Sequence, residues 1–130
     1  MKNIQIIKNI TSSTSKIRKS IQRLASKHSE AQCNGDYYFE EDKNKWTSTT
    51  GKNAEAKIIN DINYICGTKN VPNFISYSND PRGIVIKIES SKLTAEDIEL
   101  CNELNLYMDW SGDYSILTNA EFKELYNCNI

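Results

Sequence analysis

The chain of 130 residues is long enough for one domain with a substantial apolar core. Its formal net charge of −1 argues against a broad basic surface for duplex DNA, whereas a small anionic ligand needs only a few donors. No apolar run is long enough for a membrane-spanning helix, and the first residues lack the apolar segment of a signal peptide, so we expect a cytoplasmic protein. None of the four cysteines forms a CxxC pair, and we predict neither a metal nor a cofactor.

The amino-terminal segment, residues 1–12, is ambiguous in its isoleucine spacing. Ile4 and Ile6 alternate as in a short strand, whereas Ile6 and Ile10 are spaced as in a helical turn. A flexible arm attached loosely to the domain also fits this stretch. Strand, helical turn and arm therefore all stay open for this segment.

A first long helix is predicted to begin after an N-cap at Ser13 or Ser15 and to end near Ala31. Its apolar stripe recurs at i, i+4, i+7 and i+11, at Ile17, Ile21, Leu24 and His28. Because His28 ends this stripe, we interpret the only histidine of the chain as a packed or capping side chain rather than a catalyst.

Arginine is scarce, and two of the three arginines lie on this helix. Arg18 and Arg23 are off the apolar stripe and five residues apart, so they point about 140° away from each other. They do not form one anion clamp by themselves.

A polar turn, Cys33-Asn34-Gly35-Asp36, is predicted to end the helix, because Asn-Gly is typical of a C-cap or a tight turn. Three aromatic residues follow it directly. Either they stack on a nucleotide base, or Tyr37 and Phe39 pack on the core while Tyr38 lies outside.

Residues 40–52 are polar and predict a surface loop or an irregular hairpin. Trp46 within this stretch either anchors it on the core or lies over a pocket. A second helix is predicted from Asn53 to about Ile65, with Gly67 closing it.

A pair of antiparallel strands is predicted at residues 73–78 and 83–88, the second rich in β-branched side chains. The connection Asp80-Pro81-Arg82-Gly83 has the residues of a type I turn, with Asp first, Pro second and Gly fourth. This turn presents Arg82, which is either solvated or a contact for an anion.

The last third of the chain predicts a helix, a hairpin and a short helix. Thr94 and Asp97 indicate a capping box for the first of these helices. Strands at residues 106–110 and 114–118 form the hairpin, and Asn119 is predicted to cap a final helix from 120 to 127. The whole pattern predicts a single α+β domain over residues 1–130, in which the N-terminal and central helices pack on one antiparallel sheet.

The order of two short motifs, Cys33-Asn34-Gly35-Asp36 and then Asp80-Pro81-Arg82-Gly83 before an apolar strand, resembles a widespread group of small phage-encoded proteins. The resemblance covers roughly residues 15–90, and we place the group with the first described family of Thoeris anti-defence sponges. It implies a non-enzymatic protein in the host bacterial cytoplasm that binds and sequesters glycocyclic ADP-ribose signals made by TIR-domain proteins. It also implies a homodimer or a higher homo-oligomer, and in some members additional binding of cyclic oligonucleotides.

Such a ligand sets three chemical requirements, and the sequence offers candidates for each. Charge-assisted donors for the diphosphate would be Arg82, our first choice, with Arg18 or Arg23. Partners for the ribose hydroxyls would be Asn34, Asp36, Asn79 and Asp80. Aromatic faces for adenine would be Tyr38, Trp46 and Trp110.

Two other functions stay open beside the sponge. One is an anti-defence protein that acts by direct contact with a host protein. The other is an enzyme that degrades a nucleotide signal, because the scattered carboxylates leave paired-acid chemistry open.

Overall fold

A computed structural model describes residues 2–36, 38–80 and 83–126. Within these ranges the helices are α1 Asn3–Ser12, α2 Ser15–Cys33, α3 Thr49–Cys66, α4 Ala95–Glu103 and α5 Asn119–Tyr126, with a 3-10 turn at Ser90–Lys92. The strands are β1 Phe39–Glu40, β2 Lys45–Trp46, β3 Ile75–Asp80, β4 Gly83–Ile88, β5 Leu106–Met108 and β6 Tyr114–Thr118.

The main sheet has four antiparallel strands in the order β3-β4-β6-β5, and β1 and β2 form a separate two-stranded ribbon. Alternate residues of β4 are buried, and one cluster of apolar side chains joins this sheet to α1, α2, α3 and α4. The predicted α+β class, with helices packed on one main antiparallel sheet, is confirmed. No helix within the described ranges has the length and apolarity to cross a membrane.

The amino-terminal segment is a helix, so a short strand or a loose arm is wrong for residues 3–12. Ile6, Ile7 and Ile10 are buried in the core, which fixes α1 against α3, α4 and β6. Asn3 Nδ2 also donates a hydrogen bond of 3.3 Å to Asp97 Oδ2 in α4. Burial of the isoleucines decides between the two periodicities that the sequence left open.

Helix α2 carries the predicted buried stripe from Ile17 to His28, but its predicted cap is wrong. The residue before the helix is Thr14, and its side chain makes no capping bond. Thr14 Oγ1 instead donates to Glu121 Oε2 at 3.0 Å, which ties the start of α2 to α5.

Helix α3 begins at Thr49, four residues before the predicted start. Ser48 is the N-cap, because its hydroxyl oxygen accepts a hydrogen bond of 2.9 Å from the backbone N–H of Gly51. Gly67 ends the helix at φ 70°, in the left-handed region predicted for it. The polar stretch before α3 is the irregular hairpin of β1 and β2.

The remaining elements follow the sequence pattern, except that β3 lies two residues later than predicted, β5 ends two residues earlier, and one cap is different. Thr94 and Asp97 form both bonds of the capping box before α4. Before α5, however, the box is formed by Thr118 and Glu121, and Asn119 is the first helical residue instead of the cap. The predicted turn residues Pro81 and Arg82, together with Tyr37 and the end of the last helix, lie outside the described residues.

Candidate functional site

A basic groove runs between α2 and α3. It encloses a cavity of about 490 Å³. Five of the side chains that line it are cationic: Lys16, Lys19, Arg23, Lys27 and Lys57. We call this feature the α2–α3 groove.

Helical spacing explains why these cations share one groove. Along α2 they recur every three or four residues, so they form one row beside the buried stripe. On α3, Thr50, Asn53, Ala54 and Lys57 recur in the same way and line the opposite wall. Leu24 and Ala54 supply an apolar surface between the two rows.

The groove is positively charged although the chain as a whole is slightly acidic. None of the described side chains that line it is acidic. Lys27 pairs with Glu30 at 3.4 Å and Lys57 with Asp61 at 3.0 Å. Lys16, Lys19 and Arg23 make no ion pair with any other part of the described chain, so their charges are available to a ligand.

This lining is suited to binding a phosphorylated ligand. Ammonium and guanidinium groups form charge-assisted hydrogen bonds with phosphate oxygens. Ser20, Thr50 and Asn53 add hydroxyl and amide groups, which suit sugar hydroxyls. The apolar wall between them suits the uncharged part of such a ligand.

The two helical arginines lie in different places, as their spacing predicts. Arg23 lines the α2–α3 groove, whereas Arg18 forms an ion pair of 3.5 Å with Glu121 in α5. Arg18 also lines a second cavity, of about 150 Å³, beside Glu124. Because Arg18 is already paired with Glu121 and the Glu124 carboxylate lines this cavity together with Lys19, the cavity is less suited to an anion than the groove is.

The polar residues after α2 stay at the surface. Asn34 follows the helix as its C-cap residue, and Gly35 has φ 81°, which confirms the predicted turn. Asn34 and Asp36 are both exposed, and neither lines the groove. Tyr38 packs partly against the core.

Trp46 is a core residue, only 1% exposed. Its ring packs against Phe39 with centroids 4.9 Å apart and against His28 at 6.1 Å. Trp46 therefore anchors the polar stretch on the core and does not lie over a pocket. Because its ring is buried, it offers no face for adenine. His28 is buried as well, and neither ring nitrogen has a hydrogen-bond partner among the residues that the structure describes.

Asn79, a ligand contact predicted from the sequence, connects β3 to the β1–β2 hairpin and to α3. Its Oδ1 accepts a hydrogen bond of 2.9 Å from Trp46 Nε1, and its Nδ2 donates to the carbonyl oxygen of Asn44 at 3.3 Å. Burial raises the pKa of the Glu55 carboxyl in α3, and a hydrogen bond with Asn79 partly offsets that rise. Asp80 pairs with Gly83 across the hairpin, and the preferred anion contact, Arg82, lies outside the described residues.

Trp110 is almost fully exposed, at 98%, on the turn between β5 and β6. Asp109 holds this turn by accepting hydrogen bonds from Ser111 and Asp113 and by an ion pair of 2.9 Å with Lys87. Burial raises the pKa of Asp109, but these hydrogen bonds and Lys87 outweigh it and lower the pKa to about 2. The turn is therefore fixed, and Trp110 does not line the groove.

The four lysines of the groove were not among the residues predicted from the sequence. Single surface lysines are ordinary, so the pattern at 16, 19, 23 and 27 was the available signal. Which second helix faces that row depends on tertiary packing. Within the described residues no group of three histidine, cysteine or acidic side chains is placed to hold a metal ion.

Comparison with known proteins identifies no relative: no protein-family model, curated protein or solved structure significantly matches the chain.

Proposed function

We propose that the protein is a non-enzymatic sponge that holds a phosphorylated nucleotide in the α2–α3 groove. Following the sequence resemblance, the ligand is a glycocyclic ADP-ribose signal, and its sequestration in the host bacterial cytoplasm inhibits Thoeris defence. A homodimer or larger homo-oligomer belongs to the same proposal.

One observation carries it: five cations and no described acidic side chain line a single groove. A diphosphate would be held by Lys19 and Arg23, whose charges have no partner among the described residues. Ribose hydroxyls would bond Asn53 and Thr50, and the apolar wall at Leu24 would contact the sugar ring or the base. These groups are recognition groups, which favours binding over conversion.

Titration calorimetry with cyclic ADP-ribose and its glycocyclic isomers tests the binding step. A charge-assisted hydrogen bond contributes about 1.5–3 kcal/mol, so Arg23→Glu is expected to weaken binding at least about 10-fold. Lys123→Glu is the matched control, because Lys123 is exposed on α5 and does not line the groove. Equal affinity of the two variants would contradict the proposed site.

Recovery of the ligand separates a sponge from an enzyme. The protein is incubated with the nucleotide and denatured by heat, and the supernatant is chromatographed. A sponge returns the ligand intact, whereas a hydrolysed product would support the degrading enzyme.

Direct contact with a host protein is the second candidate, and the exposure of Trp110 and Met108 favours it. Tryptophan is enriched among the residues that dominate protein interfaces. A host protein that is captured by the wild-type chain and lost with Trp110→Ala would support this function, provided that the nucleotides leave the melting temperature unchanged.

A further inference from the structure

Tyr64 lies near the end of α3, and its side chain is 88% exposed. It lies seven residues after Lys57 and eleven after Asn53, two spacings that return to nearly the same helical face. Tyr64 therefore lies on the α3 face that forms the wall of the groove, beyond its last cation and outside the residues that line the cavity.

The separation along the helix is suitable for one nucleotide. Seven residues correspond to about 10 Å of helix axis. The flexible Lys57 side chain and the ribose that links a phosphate to its base together extend over this distance. A phosphate bound at Lys57 would therefore leave the base within reach of the tyrosine ring.

The chemistry of the position agrees with this placement. Proteins that bind single-stranded nucleotides combine a positive groove with aromatic rings on which bases stack. A tyrosine ring presents an apolar face for stacking, and its hydroxyl stays hydrated at the edge. Asn60 is exposed one turn before Tyr64 and offers an amide to the edge of a base.

We infer that Tyr64 is the base-stacking residue of the α2–α3 groove, which makes an aromatic base part of what the site recognises. The inference rests on the proposed function, since the phosphate must occupy the groove. It assigns adenine recognition to Tyr64, in place of the three aromatic residues considered from the sequence.

The test compares a probe that has a base with probes that lack one. Cyclic ADP-ribose, ribose 5-phosphate and pyrophosphate are titrated into the wild-type chain, Tyr64→Ala and Tyr64→Phe. Loss of base stacking is expected to weaken cyclic ADP-ribose about 5- to 150-fold in Tyr64→Ala, with no change for the two base-free probes. Tyr64→Phe keeps the ring and is expected to retain the wild-type affinity.

Two control variants separate the possible failures. Trp110→Ala removes an exposed aromatic ring that lies on the turn between β5 and β6 instead of on α3, and it is expected to change none of the affinities. Arg23→Glu is expected to weaken the binding of all three probes. If Arg23→Glu weakens binding but Tyr64→Ala leaves cyclic ADP-ribose unchanged, or weakens base-free probes equally, the role of Tyr64 is refuted and the groove stands. If neither these probes nor the glycocyclic isomers bind the wild-type chain, the proposed function fails and this inference fails with it.

Discussion

Replacing Asn79 by alanine is expected to destabilise the fold without lowering the affinity of the α2–α3 groove for its ligand. The Asn79 amide accepts from the Nε1 atom of Trp46, which is 1% exposed, so alanine leaves a buried N–H without a partner. An unpaired buried donor costs about 1–3 kcal/mol, and the more exposed bond to Asn44 adds about 0.5 kcal/mol. The expected loss is about 1.5–3.5 kcal/mol, or a fall of about 5–14 °C in the melting temperature of a chain of this size.

Thermal and urea unfolding, followed by circular dichroism, measure this loss. A double-mutant cycle with Trp46→Phe isolates the bond, because phenylalanine lacks the indole N–H. The cost of Asn79→Ala is expected to fall by at least about 1 kcal/mol in the Trp46→Phe background. A melting temperature lowered by less than about 2 °C, or additive costs in the cycle, would refute the reasoning. Normal ligand affinity of folded Asn79→Ala would further identify Asn79 as a structural residue.

Three further predictions concern packing, pH and thiol chemistry. Gly51→Ala is expected to lower the free energy of unfolding by about 1–3 kcal/mol, because the new Cβ would lie 2.9 Å from the Trp46 ring. This cost outweighs the higher helix propensity of alanine, and urea titration measures the change. Asp109 has a lowered pKa, so its stabilisation is complete above its unfolded pKa near 4 and is lost as the pH falls toward 2. Asp109→Asn is therefore expected to make the free energy of unfolding, measured in urea, depend less on pH between pH 4 and 2. The same pH dependence in this variant as in the wild-type chain would contradict this. Burial raises the pKa of the Cys66 and Cys101 thiols to about 11, so mass spectrometry after alkylation at pH 8 is expected to find both unmodified until urea is added.

Much of the fold could be predicted from local pattern, because the apolar periodicity and the capping and turn residues indicate the same elements. The β-branched run of β4, the glycine after α3 and the capping box before α4 each specify a local conformation. The start of α3 could not be predicted, because Thr-Thr-Gly has low helix propensity. Packing of Gly51 under Trp46 and the Ser48 cap stabilise that first turn, and both depend on the folded hairpin.

The site was harder to predict than the fold, because it depends on which helix faces which. Arg23 was chosen as a scarce arginine, and the structure places it in the groove together with lysines that the sequence presents as ordinary surface residues. Asn79 and Trp46 were chosen as recognition types, and they bond each other instead. Residue type indicates what a side chain can bind, whereas burial and partners decide whether a ligand can reach it.

The burial of α1 against late parts of the chain has a consequence for folding during synthesis. The bond from Asn3 to Asp97 spans 94 positions, and the bond from Thr14 to Glu121 spans 107. The isoleucines of α1 leave the ribosome well before their partners in α4 and β6 are made. These long-range contacts form only after α4 and β6 have been synthesised, so part of the apolar surface of α1 stays uncovered on the nascent chain until then.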